Sequence, residues 1–219
     1  MALLHQVIPV GVFQANCNIL ADEDSKTAVI IDPGDEPRRI LDVVRDLGVK
    51  VTHLLHTHCH LDHITGTRAV REATRAKILI HPKDKFLYEG LKEQYATTVR
   101  LFGLSLAPGD DPLPADGKLA DGAEIALGQH KLRVIHTPGH TPGSCSFLLE
   151  GPEGPRLFTG DTLFAGSIGR TDLAGGDTDL ELQSIRTRLL TLNPETTVFP
   201  GHGPSTRIGI ERNENPWLQ

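Results

Sequence analysis

The sequence has little of what would suit an exported, membrane-bound or nucleic-acid-binding protein. Only three cysteines occur, Cys17, Cys59 and Cys145, and they form no CxxC pair. An odd, dispersed set excludes a disulfide framework and predicts free, buried thiols in a reducing compartment. The apolar runs are strand-length, well short of the ~20 residues needed to cross a bilayer, so no membrane segment is expected. The opening Met1-Ala2-Leu3-Leu4-His5 lacks a basic region and an apolar core, which predicts a chain that is not exported and works in the cytoplasm. Basic charge is also short. Against 28 Asp and Glu stand 22 Lys and Arg, a net charge of −6, which argues against nucleic acid or an anionic membrane as partner.

What is present fits a globular enzyme. A chain of 219 residues, 38% hydrophobic, can bury a sizeable core as one domain spanning 1–219. Strand signals at Val7–Val10, Cys17–Leu20 and Thr27–Ile31 precede a helix predicted from Glu36 to Leu47, with Pro37 in its first turn and Gly48 as its stop. A strand follows at Val49–Leu55, then a helix over Gly66–Arg75, a strand at Lys77–Ile80 and mainly helical spacing from Lys83 to Phe102. The stretch from Ala107 to Gly122 is rich in Pro, Gly and Asp and reads as a surface loop. Further strands are expected at Ala123–Leu127, Lys131–His136, Cys145–Leu149, Arg156–Thr159 and Val198–Phe199. A helix over Leu180–Leu192 would start at a capping box formed by Thr178 and Glu181. Two strand-rich halves, each closed by helix, point to helices covering both sides of a packed pair of sheets.

The chemistry concentrates in Thr57-His58-Cys59-His60-Leu61-Asp62-His63, directly after an apolar strand. In an extended chain side chains alternate, so His58, His60 and Asp62 share one face while Cys59 and Leu61 take the other. His63 breaks that alternation, which requires a turn before the next helix. Imidazoles and carboxylates at this density suit zinc, iron or manganese, with positions left for water. A polar loop with hydrogen-bonded histidines would account for one such residue, not for the whole cluster. The second half holds three more strand-end candidates. His140 lies in Thr137-Pro138-Gly139-His140-Thr141-Pro142, and His202 in Pro200-Gly201-His202-Gly203-Pro204. Asp161 follows Leu157-Phe158-Thr159-Gly160, where Gly160 permits close backbone approach. Asp62 can ligate a metal and orient a hydroxide. Cys59 faces away from the cluster and reads as a packing thiol.

This set, in this order and over most of the chain, resembles the metallo-β-lactamase superfamily. The resemblance implies an α/β (α+β) chain folded as a four-layer αββα sandwich, with a dinuclear metal site on one edge. It implies that His58, His60 and His140 hold one metal, that Asp62, His63 and His202 hold the second, and that Asp161 bridges them. The run Gly160–Asp172 and the ending Pro200-Gly201-His202-Gly203-Pro204 resemble short bacterial glyoxalase II-like hydrolases. Full-length glyoxalase II carries a further helical domain that grips glutathione, whereas only Gly203–Gln219 follow His202 here.

The resemblance therefore implies a hydrolase of small acyl thioesters such as S-lactoylglutathione. Two divalent ions would serve it, zinc foremost, with iron or manganese as alternatives. A hydroxide held between two such ions is nucleophilic at neutral pH. A thiolate leaves without a strong general acid, because its thiol pKa is about 8.5. Arg170 could bind a substrate carboxylate, or pair with Asp172 and hold its own loop. The same motifs also resemble the persulfide dioxygenases, which bind one iron through residues matching His58, His140 and Asp161. A metal-stabilised module without turnover is the third reading.

Overall fold

The structure is a computed structural model that describes residues 3–103, 111–151 and 153–219. The part of the predicted surface loop before Asp111 lies outside the described residues. Six strands make the first sheet in sequential order: β1 (Leu3–Val10), β2 (Ala15–Asp22), β3 (Thr27–Ile31), β4 (Lys50–Leu55), β5 (Lys77–Ile80) and β6 (Gly117–Lys118). Between them run α1 (Pro37–Leu47), the short α2 (Leu61–Ile64), α3 (Thr67–Thr74), α4 (Lys85–Glu89) and α5 (Leu91–Phe102). The second sheet contains β7 (Glu124–Leu127), β8 (His130–His136), β9 (Cys145–Leu149) and β10 (Arg156–Gly160). A two-stranded hairpin, β11 (Leu163–Phe164) and β12 (Ser167–Ile168), and α6 (Thr178–Ser184) come next. β13 (Thr197–Pro200) and β14 (Thr206–Arg207) complete the second sheet, and α7 (Ile208–Glu214) follows.

Alternation along the strands separates three apolar cores. Leu20, Val29, Ile31 and Leu55 of the first sheet meet Leu132, Val134, Phe147 and Phe158 of the second. Their sequence neighbours Ile19, Ile30 and Leu54 point the other way and pack with Ile40 and Val44 of α1 and Val70 of α3. On the far side Ile135, Leu148, Leu157 and Val198 pack with Ile185, Leu189 and Ile208. Helix, sheet, sheet and helix therefore form four layers, the αββα sandwich expected from the sequence.

Two local expectations are corrected. The cap of α6 is Asp177, whose carboxylate accepts from the Leu180 amide at 3.0 Å. Glu181 is fully buried and turns inward instead of closing a capping box. The helix predicted as far as Leu192 continues beyond Ser184 as a π-helical turn over Ile185–Leu189. The tail contains α7, a helix that no apolar periodicity marks. It packs partly through a polar network in which Glu211 bonds Thr206, the Gly166 amide and Asn215. Such contacts leave little apolar periodicity to read.

Candidate metal centre

Each side chain of the cluster stands at or just beyond the end of a strand. β4 runs into His58 and His60, and the turn into α2 then presents Asp62 and His63. β8 delivers His140, β10 delivers Asp161 and β13 delivers His202. Parallel pairing of β10 with β13 aligns Gly160 with Pro200, which sets Asp161 and His202 side by side. Gly160 has φ +51°, and a Cβ there would lie 2.3 Å from the Thr57 hydroxyl, so the close approach expected at this glycine is present. The loop after β13 is fastened to the first sheet as well. The Asn16 amide donates to the Gly201 carbonyl at 2.7 Å, and Asn16 Nδ2 donates to the Pro200 and Gly203 carbonyls at 3.0 Å each.

The donor atoms fall into two triads joined by a carboxylate. His58 Nε2, His60 Nδ1 and His140 Nε2 converge, with separations from His140 of 3.2 and 2.9 Å. Asp62, His63 and His202 form the other triad. His202 Nε2 lies 3.2 Å from Asp62 Oδ2 and 3.3 Å from His63 Nε2. Asp161 reaches both, with Oδ1 3.4 Å from His63 Nε2 and Oδ2 3.7 Å from His140 Nε2. Two donors on one tetrahedral zinc, each ~2.0–2.1 Å from it, stand roughly 3.3 Å apart. The observed spacings match that value, so the residues present fit divalent ions.

Outer partners aim four of the imidazoles. His140 Nδ1 lies 2.7 Å from the Arg170 carbonyl, His202 Nδ1 3.0 Å from the Phe13 carbonyl and His58 Nδ1 3.1 Å from the Thr57 hydroxyl. His63 Nδ1 lies 3.1 Å from Asp32 Oδ2. Donation to the two carbonyls and the carboxylate fixes the tautomer that turns Nε2 toward the cluster.

Electrostatics agree with this arrangement. Burial holds His58 well below the ordinary histidine value and pulls His60 down to about 3, keeping both neutral, as ligation requires. Burial acts against the charged form of His63 too, but Asp62, Asp161 and Asp32 outweigh it and lift the group to about 10, so this imidazole holds a proton that a metal ion would have to displace. For Asp62 the desolvation cost is overcome by His63 and His202, leaving the carboxylate far below its usual range. An acidic pocket this strong invites cations.

Three residues that the sequence did not mark as part of the site support the centre. Asp32, buried in the left-handed region at φ 52°, accepts from the Thr57 amide at 2.8 Å and the Thr57 hydroxyl at 2.6 Å besides contacting His63. Asp84 accepts from the Cys59 and Gly143 amides and the Thr141 hydroxyl, binding the two ligand loops together. Glu181 Oε2 accepts from the His140 amide at 2.7 Å, and burial lifts its carboxyl to about 9. The position of Asp32 at the end of β3 was the available signal, since the other clustered carboxylates and imidazoles also follow strand ends.

Arg170 is engaged by its own loop, with Nε and Nη2 bonded to Asp172 at 2.7 and 2.8 Å. His56 lies 4.0 Å from Asp32, whereas His136 stacks on His81 away from the cluster. Cys17, Cys59 and Cys145 are buried free thiols. The cluster opens into a cleft of about 820 Å³ whose far wall is built by α4 and α5. Among the described residues no helix is long and apolar enough to cross a membrane.

A family model described as the metallo-beta-lactamase superfamily matches residues 10–202. The chain is 40% identical over 215 residues to the hydroxyacylglutathione hydrolase GloC of Haemophilus influenzae, covering 97% of each protein. Among solved structures, the BLEG-1 B3 metallo-beta-lactamase is 38% identical with a TM-score of 0.88, covering 99% of this chain and all of that one. TTHA1623 in a di-iron-bound form is 38% identical with a TM-score of 0.82, covering 97% of this chain and 100% of that one. ETHE1 from Myxococcus xanthus is 31% identical with a TM-score of 0.76, covering 97% of this chain and 83% of that one.

Proposed function

This chain belongs to the metallo-beta-lactamase superfamily, and from that premise we propose that it hydrolyses small acyl thioesters to free acid and thiol with two divalent ions. That it is a metal-dependent hydrolase of this superfamily follows from the family match and from its kinship with GloC. The thioester, the pair of ions and the residue roles are the proposal. It treats the chain as one domain acting on a small molecule, without nucleic acid or membrane. One observation carries it above the others: two triads, each able to hold an ion, flank Asp161. The di-iron form of TTHA1623 supports the same count and admits iron beside zinc.

Divalent ions in such a site supply a water acidified toward ~7 and a Lewis acid for the substrate carbonyl. The chain does the rest. His58, His60 and His140 would hold one ion, Asp62, His63 and His202 the other, and Asp161 would span both. Asp62, 20% exposed at its side chain, faces the cleft and can accept a hydrogen bond from the attacking water and so orient it. Asp32, Glu181 and Asn16 keep the ligand loops in place. A thiolate departs unaided, so the reaction requires no general acid.

Metal content and oxygen dependence test the reading together. Protein purified without added metal should carry close to two ions per chain and release thiol from S-lactoylglutathione, though with a high KM. The rate should be the same in air and under strict anaerobiosis. One iron per chain, with oxygen uptake on glutathione persulfide and no thiol release from any thioester, would establish the dioxygenase in its place.

A further inference from the structure

The cleft reaches well past the metal cluster, and its outer wall has a definite chemistry. Phe86 and Leu101 of α4 and α5 line it, as do Phe13 on the β1–β2 turn and Leu173 opposite. Phe86 is 51% and Leu101 59% exposed, so the wall offers apolar surface already facing solvent. The charged side chains of α4 and α5 that line the cleft are acidic. Glu89 and Glu93 line the same wall. Lys85 meets Glu89 only at 3.5 Å with both side chains largely exposed, a contact that solvent screens heavily. Lys92, next to Glu93, is bonded to Asp111 at 2.8 Å. Among the described residues the one lysine or arginine lining the cleft is Arg170, and its Nε and Nη2 bond Asp172. Any further cations on the substrate path would be the ions held by the cluster, whose donors lie away from the glutamates of the helical wall.

From this wall we infer that the site selects thioesters whose thiol half is apolar and uncharged or cationic, and disfavours anionic thiol halves such as glutathione. The inference rests on the thioester reading above. A ligand with two carboxylates would bring them to a surface that has apolar carbon, two glutamates and no unpaired lining cation among the described residues. Each like-charge encounter ~8 Å apart in a solvent-rich cleft costs on the order of 0.5–1 kcal/mol, a factor of about two to five per glutamate. An apolar thiol half meets no such term and gains ~25 cal/mol for each Å² buried. The short acyl side of a substrate such as an acetyl group cannot span the cleft, so the thiol half is the part that meets α4 and α5.

Three substrates with the same acetyl group separate the terms: acetylthiocholine (cationic), S-acetyl-N-acetylcysteamine (neutral) and S-acetylglutathione (anionic). With metal-loaded enzyme, kcat/KM should be about four- to twenty-five-fold lower for S-acetylglutathione than for the other two. Raising salt from 20 to 300 mM, roughly a threefold or greater shortening of the Debye length, should raise the rate on S-acetylglutathione and lower it on acetylthiocholine. Glu93→Gln should reduce the neutral-over-anionic ratio by about threefold, and Glu89→Gln should act in the same sense. A preference for S-acetylglutathione that salt weakens, or a ratio unmoved by both substitutions, would overturn the inference and leave thioester hydrolysis standing. Failure to hydrolyse all three would overturn the thioester reading itself, and this inference with it.

Discussion

Asp32 shows how much of the centre is decided one residue away from the donors. It spends both carboxylate oxygens on the ligand loop, through the Thr57 amide and hydroxyl and through His63 Nδ1. Partners of this kind typically govern 10–100-fold in metal affinity. Asp32→Asn should therefore weaken the ion held by Asp62, His63 and His202 by about that factor while leaving the His58, His60, His140 position largely filled. Competition titration against a chelator reads the two affinities separately, and unchanged affinities at both positions would remove Asp32 from the support of the centre. The seven clustered side chains were legible because imidazoles and carboxylates at strand ends are costly to leave without a partner. Asp32, Asp84 and Glu181 were not. Their sequence surroundings are ordinary turn and helix chemistry, and only tertiary contact turns them toward His63, the Cys59 amide and the His140 amide.

At the scale of elements, the strands act as rigid arms and the turns at their ends fix the aim. The β10–β13 pair is a confined example. The Gly201 amide donates to the Gly160 carbonyl at 2.7 Å, and a Cβ at Gly201 would lie 2.1 Å from Asp161 Oδ1 and 2.9 Å from His63 Cε1. Gly201→Ala must displace Asp161 or His63. A displacement near 1 Å costs on the order of 100-fold in turnover, so kcat should fall by about that much and the metal content should drop below two per chain. Turnover within a few-fold of the parent would mean that the carboxylate is free to move and does not need its position. Strand identity was legible where a short continuous run of apolar residues stands out, as in β3, β5 and β9. The ends of helices were less so. Thr178 and Glu181 satisfy the capping-box spacing, yet the buried place beside His140 claimed Glu181 and left the cap to Asp177. The helix α7 was invisible because buried Glu211 and Asn215 stand at positions that apolar residues usually mark.

For the whole molecule, the cluster is a clasp between the two sheets. His58, His60, Asp62 and His63 belong to the first sheet's edge, and His140, Asp161 and His202 to the second's. Without ions, this edge brings two carboxylates and five imidazoles close together, and the links between the sheets there include the Cys145 amide to the Thr57 carbonyl at 2.7 Å, the Asn16 bonds, the His202 bond to the Phe13 carbonyl and the Asp84 bonds to Thr141 and Gly143. A ligand present at about 1,000 times its dissociation constant stabilises the folded state by ~4 kcal/mol. For a chain of this length that corresponds to a rise in Tm of roughly 10 °C. Dialysis against a chelator should therefore lower the calorimetric Tm by about that amount, and returning zinc should restore it. Asp161→Ala removes the carboxylate shared by both triads, so its Tm should respond to the chelator by a few degrees at most. If parent protein melts at the same temperature with and without the chelator, while elemental analysis confirms that the metal has gone, the sheets are joined by their apolar core alone and the ions serve chemistry without closing the fold.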